Sequence, residues 1–487
     1  MKNINHLTSF IILLLALSLT RVNAQPAKGP LKILPQNPRY FTDGNGKAVI
    51  LIGSHTWNNL VEIDRMPSHP NHTIDFTNYL KFLNDHQHNC FRLWQWENAF
   101  STDSTGKIKY WIDPVPYLRT GAEKTLDGKP KFDLDKFNEA YFDRLRSRVK
   151  AANDHGIYVI VMLFQGFSVS RKGHEDDWKG HPYNKENNIN GIDGDLNHDG
   201  NGFEVHQLRN AKIIGYNERF VKKVIDVTNE FGNVLYEITN ENDGSKEDTE
   251  WQYHMINFIK KYETTKSKQH PVGMTVQWPG GSNEVLFASP ADWISPNEEG
   301  GYQTDPPVAQ GSKVIINDTD HSFYYTGLKH EGPKAHQAWV WKNFMRGNHI
   351  LFMDPYLDRY PWYVTERNHP DGNKPDEYWE TLRLSMGYVR TIADRINLAA
   401  MSPQCQIASS GYCLASMNQT DPELLVYIPK GPWITVDLSE FKGSFSVEWF
   451  NPSSGESLQR ETVSGGGRRA LKAPFEGDAV LHLVLKK

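Results

Sequence analysis

Two hydrophobic patterns alternate along the chain. Short apolar runs that break off in polar or aromatic residues are separated by longer stretches with apolar positions every three or four residues. The clearest short run is Val234-Leu235-Tyr236-Glu237-Ile238-Thr239. Period two sets Val234, Tyr236 and Ile238 on one face and Leu235, Glu237, Thr239 and Glu241 on the other, and the run stops at Asn240-Glu241-Asn242-Asp243-Gly244. Strands of the same kind are predicted over 48–53, 91–97, 157–164, 272–276, 293–295, 314–316 and 350–353. The run over 157–164 is continuously apolar, as a parallel strand covered on both faces must be. Helical spacing predicts helices over 74–84, 135–153, 213–231, 251–262, 334–345 and 378–396. Eight strands, most of them separated by helices, predict an α/β fold, a (β/α)8 TIM barrel, with a doubly wound sheet as the alternative.

The flanks read differently. Residues 39–42 and 48–51 flank Asp43-Gly44-Asn45-Gly46, which predicts an N-terminal β-hairpin. From about Ala400, short strands over 424–428, 433–437, 445–450 and 479–483 are punctuated by Gly, Pro and Ser turns, the pattern of a small antiparallel β-sandwich. At the start, Lys2, an apolar stretch over 10–19 and Val22-Asn23-Ala24 make a cleavable signal peptide, too short to span a membrane. No Cys follows the apolar stretch, so a lipid anchor is not expected. The expected division is therefore 1–24 signal peptide, 25–399 barrel with its hairpin, and 400–487 sandwich, in a periplasmic or secreted protein.

Composition narrows the partners. A net charge of −5 with interspersed signs gives no reason to expect nucleic acid or an anionic membrane. The chain has 14 Trp, and indole rings stack on the apolar faces of ligands as readily as they fill cores. Three Cys cannot make a disulfide framework, although Cys405 and Cys413 are close enough in sequence to pair.

In a parallel barrel the chemistry is displayed where strands end. Here the ends carry His55 and Trp57, Arg92 and Trp94, Gln165, Asn240 and Glu241, Trp278, Asn297, Asp318 with Asp320 and His321, and Asp354. Hydrolysis of a glycosidic bond needs one carboxyl group to protonate the leaving oxygen and a second to attack or to activate water. Glu241 suits the first role, with Asn240 beside it to bind a sugar hydroxyl. On the strand over 314–316, Val314, Ile316, Asp318 and Asp320 share one phase, which makes Asp318 the first choice of partner and Asp320 the reserve. Arg92 would orient a carboxylate or bind a hydroxyl. His55, Trp57, Trp94, Gln165, Trp278, Asn297, His321 and Asp354 complete the expected binding set. Each has a plainer reading as core packing, an ion pair or a cap, and Asn240-Glu241 alone would also serve as a helix N-cap. Asp193, Asp195, Asn197 and Asp199 alternate before Gly200 as in a calcium loop, so a structural Ca²⁺ is one expectation and a solvated Gly-rich turn the other. No cofactor is required. A serine-nucleophile elbow, a zinc-protease helix and a phosphate loop find no match.

At this point the chain resembles a known group. Thr239-Asn240-Glu241 looks like the fourth-strand signature of the clan of retaining (β/α)8 glycoside hydrolases, whose second-strand arginine is matched by Arg92 and whose seventh-strand nucleophile falls at Asp318. That nucleophile is usually Glu, so Asp318 departs from the clan. More narrowly, residues 41–47, Asn317-Asp318-Thr319-Asp320-His321, Trp339-Val340-Trp341-Lys342 and Phe352-Met353-Asp354-Pro355-Tyr356 are similar to those of secreted bacterial apiosidase-like proteins. Residues 447–452 and 473–480 look like the module called collagen-binding in such proteins. The resemblance implies an exported glycoside hydrolase, exo-acting and retaining, on a plant or host polysaccharide. A non-catalytic carbohydrate- or matrix-binding protein on a barrel scaffold is the alternative.

Overall fold

The computed structural model describes residues 25–65, 74–172, 175–322, 332–354, 356 and 376–486. The leader expected over 1–24 lies outside them. Eight parallel strands form one sheet: β1 (Ile52–His55), β2 (Cys90–Leu93), β3 (Tyr158–Gln165), β4 (Val234–Asn240), β5 (Val272–Thr275), β6 (Trp293–Ser295), β7 (Val314–Asp318) and β8 (His349–Met353). Their order in the sheet is β1-β8-β7-β6-β5-β4-β3-β2. The ring closes where the Asn89 N–H donates to the Ile52 carbonyl at 2.9 Å and the Asn89 side chain takes the Ile52 N–H, also at 2.9 Å. Gly53 permits this closure, because a Cβ there would lie 1.7 Å from the Cys90 carbonyl oxygen.

The strand-to-strand steps run through helices that cover the outside: α1 (Phe76–Asp85), α2 (Glu139–Asp154), α3 (Ala211–Thr228), α4 (Lys246–Glu263), α5 (Asn283–Ala288), the single turn α6 (Thr319–Ser322), α7 (Pro333–Arg346) and α8 (Glu380–Arg395). Period two sorts the strand residues. Val234, Tyr236 and Ile238 join Leu145, Phe220, Val224 and Ile256 of the helices in the outer core. Cys90, Ile160, Leu235, Trp293, Val314, Ile316 and Leu351 fill the barrel, plugged from the N-terminal side by Leu31, Phe41 and Leu51. The next inward positions along the strands are polar, so the barrel is apolar at its base and charged at its C-terminal mouth.

The arms of the predicted hairpin meet in a single antiparallel bridge, Phe41 to Val49, while Phe41–Thr42 pairs antiparallel with Lys32–Ile33. Excursions after β1, at Glu62–Arg65, and after β2 were not expected. Strands Glu62–Arg65, Phe100–Asp103 and Ile108–Asp113 pair antiparallel, followed by the hairpin Tyr117–Lys124 with Pro130–Phe137. Because Asp135, Lys136 and Phe137 finish that hairpin, the helix expected from 135 begins at Glu139.

After α8 the chain builds the sandwich from β9 (Cys413–Ser416), β10 (Glu423–Ile428), β11 (Trp433–Asp437), β12 (Ser444–Phe450), β13 (Ser457–Ser464), β14 (Arg468–Lys472) and β15 (Ala479–Leu485). One sheet runs from a short edge strand, Ser402–Pro403, through β9-β10-β15-β12-β13, and the other pairs β11 with β14. The sandwich has its own core and also shares one with the barrel. Leu414, Leu425, Tyr427, Phe450 and Val480 pack with Trp341, Phe344, Met386 and Val389 of α7 and α8. Trp341 stacks on Tyr427 with ring centres 6.1 Å apart, and Gln337 donates to Asp478 at 3.0 Å. Cys405 and Cys413 do not pair; all three cysteines are free thiols, and Cys405 Sγ accepts from Arg346. No helix among the described residues is long and apolar enough to cross a membrane.

Candidate active site

The inward polar positions converge on Arg92. Its side chain is 1% exposed, and its planar fork matches several oxygens at once. Nε and Nη2 donate to the two Glu237 oxygens at 2.9 and 2.6 Å, Nη2 also reaches Asn240 Oδ1 at 2.8 Å, and Nη1 donates to Asp318 at 3.1 Å and Asp320 at 2.8 Å. One cation therefore ties the end of β4 to the end of β7. Glu237 takes a further donor from Thr275 of β5 at 3.3 Å.

Histidine tautomers follow from the partners. Trp94 Nε1 can only donate, and it points at His55 Nδ1 at 2.9 Å, so His55 carries its proton on Nε2 and gives it to Asp318 at about 3.0 Å. His321 Nε2 faces Asn240 Oδ1 at 3.0 Å while its Nδ1 takes the Ser295 hydroxyl at 2.7 Å. Burial, reinforced by Arg92, lowers His321 to about 3, so it is neutral. One guanidinium then stands among three buried carboxylates, and the two at the mouth end of β7, Asp318 on the strand and Asp320 in α6, divide. Burial would raise Asp318, but His55 and Arg92 hold it well below the usual carboxylate range. Burial and the neighbouring Asp318 charge outweigh Arg92 at Asp320 and lift it to about 6. Paired carboxyls pushed apart in this way are suited to acid–base or nucleophilic work. Asp318 is fully buried, with oxygens taken by His55, Arg92 and the Asp320 N–H at 3.0 Å; Asp320 is the one nearer the mouth.

Glu241 sits one residue beyond Asn240, half-buried, in a left-handed turn with φ of 44°. Such a backbone is uncommon for a residue with a Cβ and marks a position held by its surroundings. The holding groups are visible. Gly166 packs against the Glu241 peptide so closely that a Cβ there would lie 2.2 Å from the Glu241 carbonyl oxygen. The Trp278 N–H donates to the Asn242 carbonyl at 2.6 Å. The N-cap of α4 is Ser245, which accepts from the Asp248 N–H at 3.1 Å, so Asn240 and Glu241 are not spent on capping.

The remaining expected residues divide. Trp94 lies buried against Arg92 at 4.9 Å and on His55, and Trp57 meets it edge to face. Gln165 lies beside Asn240 (3.4 Å), and its buried Nε2 has no hydrogen-bond partner among the described residues. Trp278 is 39% exposed and lies parallel to Phe167 with centres 6.3 Å apart, the geometry of an aromatic platform near the Glu241 turn. Asp354 is elsewhere: a fully buried bidentate pair with Arg383 of α8, at 2.8 and 2.5 Å, ties β8 to its helix. Asn297 takes loop roles, bonding Asn283 and the Glu299 N–H. In the 193–199 loop the side-chain oxygens serve the loop's own N–H groups: Asp193 that of Asp195, Asp195 those of Asp199 and Gly200, Asn197 that of Asp199, and Asp199 that of Asn201. No group of three or more metal-binding side chains is found among the described residues.

Several residues of the site were not anticipated. Glu237, Thr275 and Ser295 occupy the inward phase, and that phase was the available signal. Glu97, His181, His206 and Asp248 lie in loops and in a helix, where period two says nothing.

Residues 110–278 match a family described as "Domain of unknown function (DUF6298)", and residues 405–485 match "Putative collagen-binding domain of a collagenase". No curated protein matches the sequence. Among solved structures, the chain is similar to one described as "Glycoside hydrolase", at 14% identity over 94% of this chain and 97% of that one, with a TM-score of 0.60. It is also similar to a glycoside hydrolase family 5 protein from Bacteroides vulgatus, at 14% identity over 95% of each chain, with a TM-score of 0.58. At this identity the likeness is one of fold, over nearly the whole of each chain: a (β/α)8 barrel followed by a β-sandwich.

Proposed function

We propose that the protein is a glycoside hydrolase working with two carboxyl groups, Glu241 as acid/base and Asp320 as its partner. The observation that carries this reading is the Arg92 hub, which holds carboxylates of β7 in register with the end of β4, where Glu241 leaves the barrel. Asp320 is preferred to Asp318, the reverse of the order read from strand phase, because Asp318 is enclosed by His55, Arg92 and a backbone N–H. In the first step Glu241 gives its proton to the leaving oxygen while Asp320 attacks the anomeric carbon. Water then displaces the sugar, with Glu241 taking the proton back. Trp278 would receive a sugar ring face, a reading its exposed ring supports, and Asn240 would bind a hydroxyl only by giving up one of its buried partners. Retention, an exo mode, a plant or host polysaccharide and membership of the apiosidase-like group belong to the same proposal, as does export, which the 1–24 pattern supports. Purified protein is to be screened against plant and host glycans, reading released sugar. On any substrate found, Glu241→Gln and Asp320→Asn are expected to lower turnover by roughly 10²–10⁴-fold with folding intact. Full turnover in Glu241→Gln would sink the assignment. Glycan binding without any release would favour the non-catalytic alternative.

A further inference from the structure

Behind Glu241 runs a buried polar chain that meets the Arg92 cluster where Asn240 Nδ2 donates to Gln165 at 3.4 Å. His206, fully buried at the end of a 3₁₀ turn (Phe203–His206), places Nδ1 at 3.0 Å from Asn242 Oδ1 and Nε2 at 3.2 Å from Glu97 Oε1. Asn242 keeps its oxygen toward His206 while Asp248 is ionised, because its Nδ2 then donates to Asp248, whose other oxygen takes Gln252 and Gln277; burial lifts Asp248 to about 7 against these donors. Both nitrogens of His206 thus face acceptors, and both must carry a proton. His181 differs: its Nδ1 accepts the Tyr183 N–H at 3.0 Å, so it is neutral and gives its Nε2 proton to Glu97 at 3.3 Å. Glu97 in turn receives the N–H of Gln165, the residue before Gly166, at 2.7 Å. The chain Gln165–Glu97–His206–Asn242–Asp248–Gln277 therefore brackets Glu241 from both sides.

We propose that His206 is a positioning residue for Glu241, an imidazolium that joins β3 to the residue after Glu241 and so holds the left-handed turn in place. This rests on the acid/base reading of Glu241. The groups facing His206 are consistent with a cation: Glu97 from the segment after β2, Asp248 and the Trp251 ring (stacked at 4.6 Å) from α4, with neutral His181 and the Phe164 edge completing the enclosure. Burial opposes the charge, but Glu97 outweighs it and raises His206, and His206 with His181 lowers Glu97 to about 2. Deprotonation would turn a lone pair toward Glu97 or toward Asn242 and release the turn.

The test reads the turn separately from turnover. In full-length protein with ¹⁵N-labelled histidine, the two His206 nitrogens are expected to show imidazolium shifts at pH 7, the signal being assigned by its loss in His206→Gln. Amide exchange over 240–244 should be slow at pH 7 and accelerate at least tenfold once His206 deprotonates. In Glu97→Gln that transition, and the alkaline limb of any turnover profile, should move down by about one pH unit or more. A neutral His206 at pH 7 overturns the proposal, as does a transition that stays put in Glu97→Gln. If no glycan is cleaved, the acid/base reading fails while the exchange and NMR results still decide the lock.

Discussion

Removing Arg92 asks the most of the structure. In Arg92→Met the five hydrogen bonds to Glu237 (two), Asn240, Asp318 and Asp320 disappear together, and three buried carboxylates lose their cation. Stranding one buried charge costs about 3–5 kcal/mol, and three share the loss here, so a deficit of about 5 kcal/mol is expected at pH 7.5. For a chain of this size that is about 5 °C in Tm. The pH dependence has a definite sign. In the wild type Asp318 is depressed, so its contribution to stability is present above its unfolded value near 3.8 and lost on acidification. Asp320 is raised to about 6, so it opposes folding above that pH, and the opposition fades toward 3.8. Without Arg92 the carboxylates take up protons more readily. Acidification to pH 5 should therefore narrow the gap between variant and wild type. Thermal melts followed by circular dichroism at pH 7.5 and 5 measure both quantities. A variant melting within about 3 °C of wild type at pH 7.5, or a gap that widens at pH 5, would refute the hub. Arg92→Lys keeps one charge but not the fork, and should fall between the two.

Two further outcomes are expected. Gly166→Ala places a methyl group against the Glu241 peptide and should lower kcat by roughly 10–100-fold while moving the melting point little; kcat unchanged would show that Gly166 does not hold the turn. Trp341→Ala empties the seam between α7 and the sandwich, where the ring is fully buried and stacked on Tyr427. It should cost about 3–5 kcal/mol and open the chain near 396–402 to limited proteolysis, and a protease pattern identical to wild type would mean that the seam is not what fixes the two parts together.

The eight barrel strands were legible because burial on both faces leaves a dense apolar run that breaks off sharply, as at Thr239 and Asp318. The inward phase also holds Arg92, Glu237 and Asp318, which the fold brings together. Glu237 was passed over because a carboxylate inside an apolar run has meaning only once its cation, 145 residues earlier, is known to lie opposite. The same long-range pairing misled the reading of Asp354, whose strand-end position looks like a site until Arg383 is seen beside it. In the 193–199 loop the alternating carboxylates that suggested a calcium site satisfy backbone N–H groups two to five residues on. The strands over 100–137 went unread, since loop excursions need no regular spacing with the barrel.

The seam between the sandwich and helices α7 and α8 bears on how the accessory part works. Many appended modules swing on flexible tethers, and their effect on a neighbouring site is then a matter of effective concentration averaged over many orientations. Here Tyr427, Phe450 and Val480 are sealed onto Trp341 and Met386, and only the short stretch from Ile396 to Met401 separates α8 from the first sandwich residues. The outward edge of β11 and β14, which carries the exposed ring of Trp433, is therefore held at one angle and one distance from the barrel mouth. Anything long enough to touch both meets a ruler of fixed length instead of a leash.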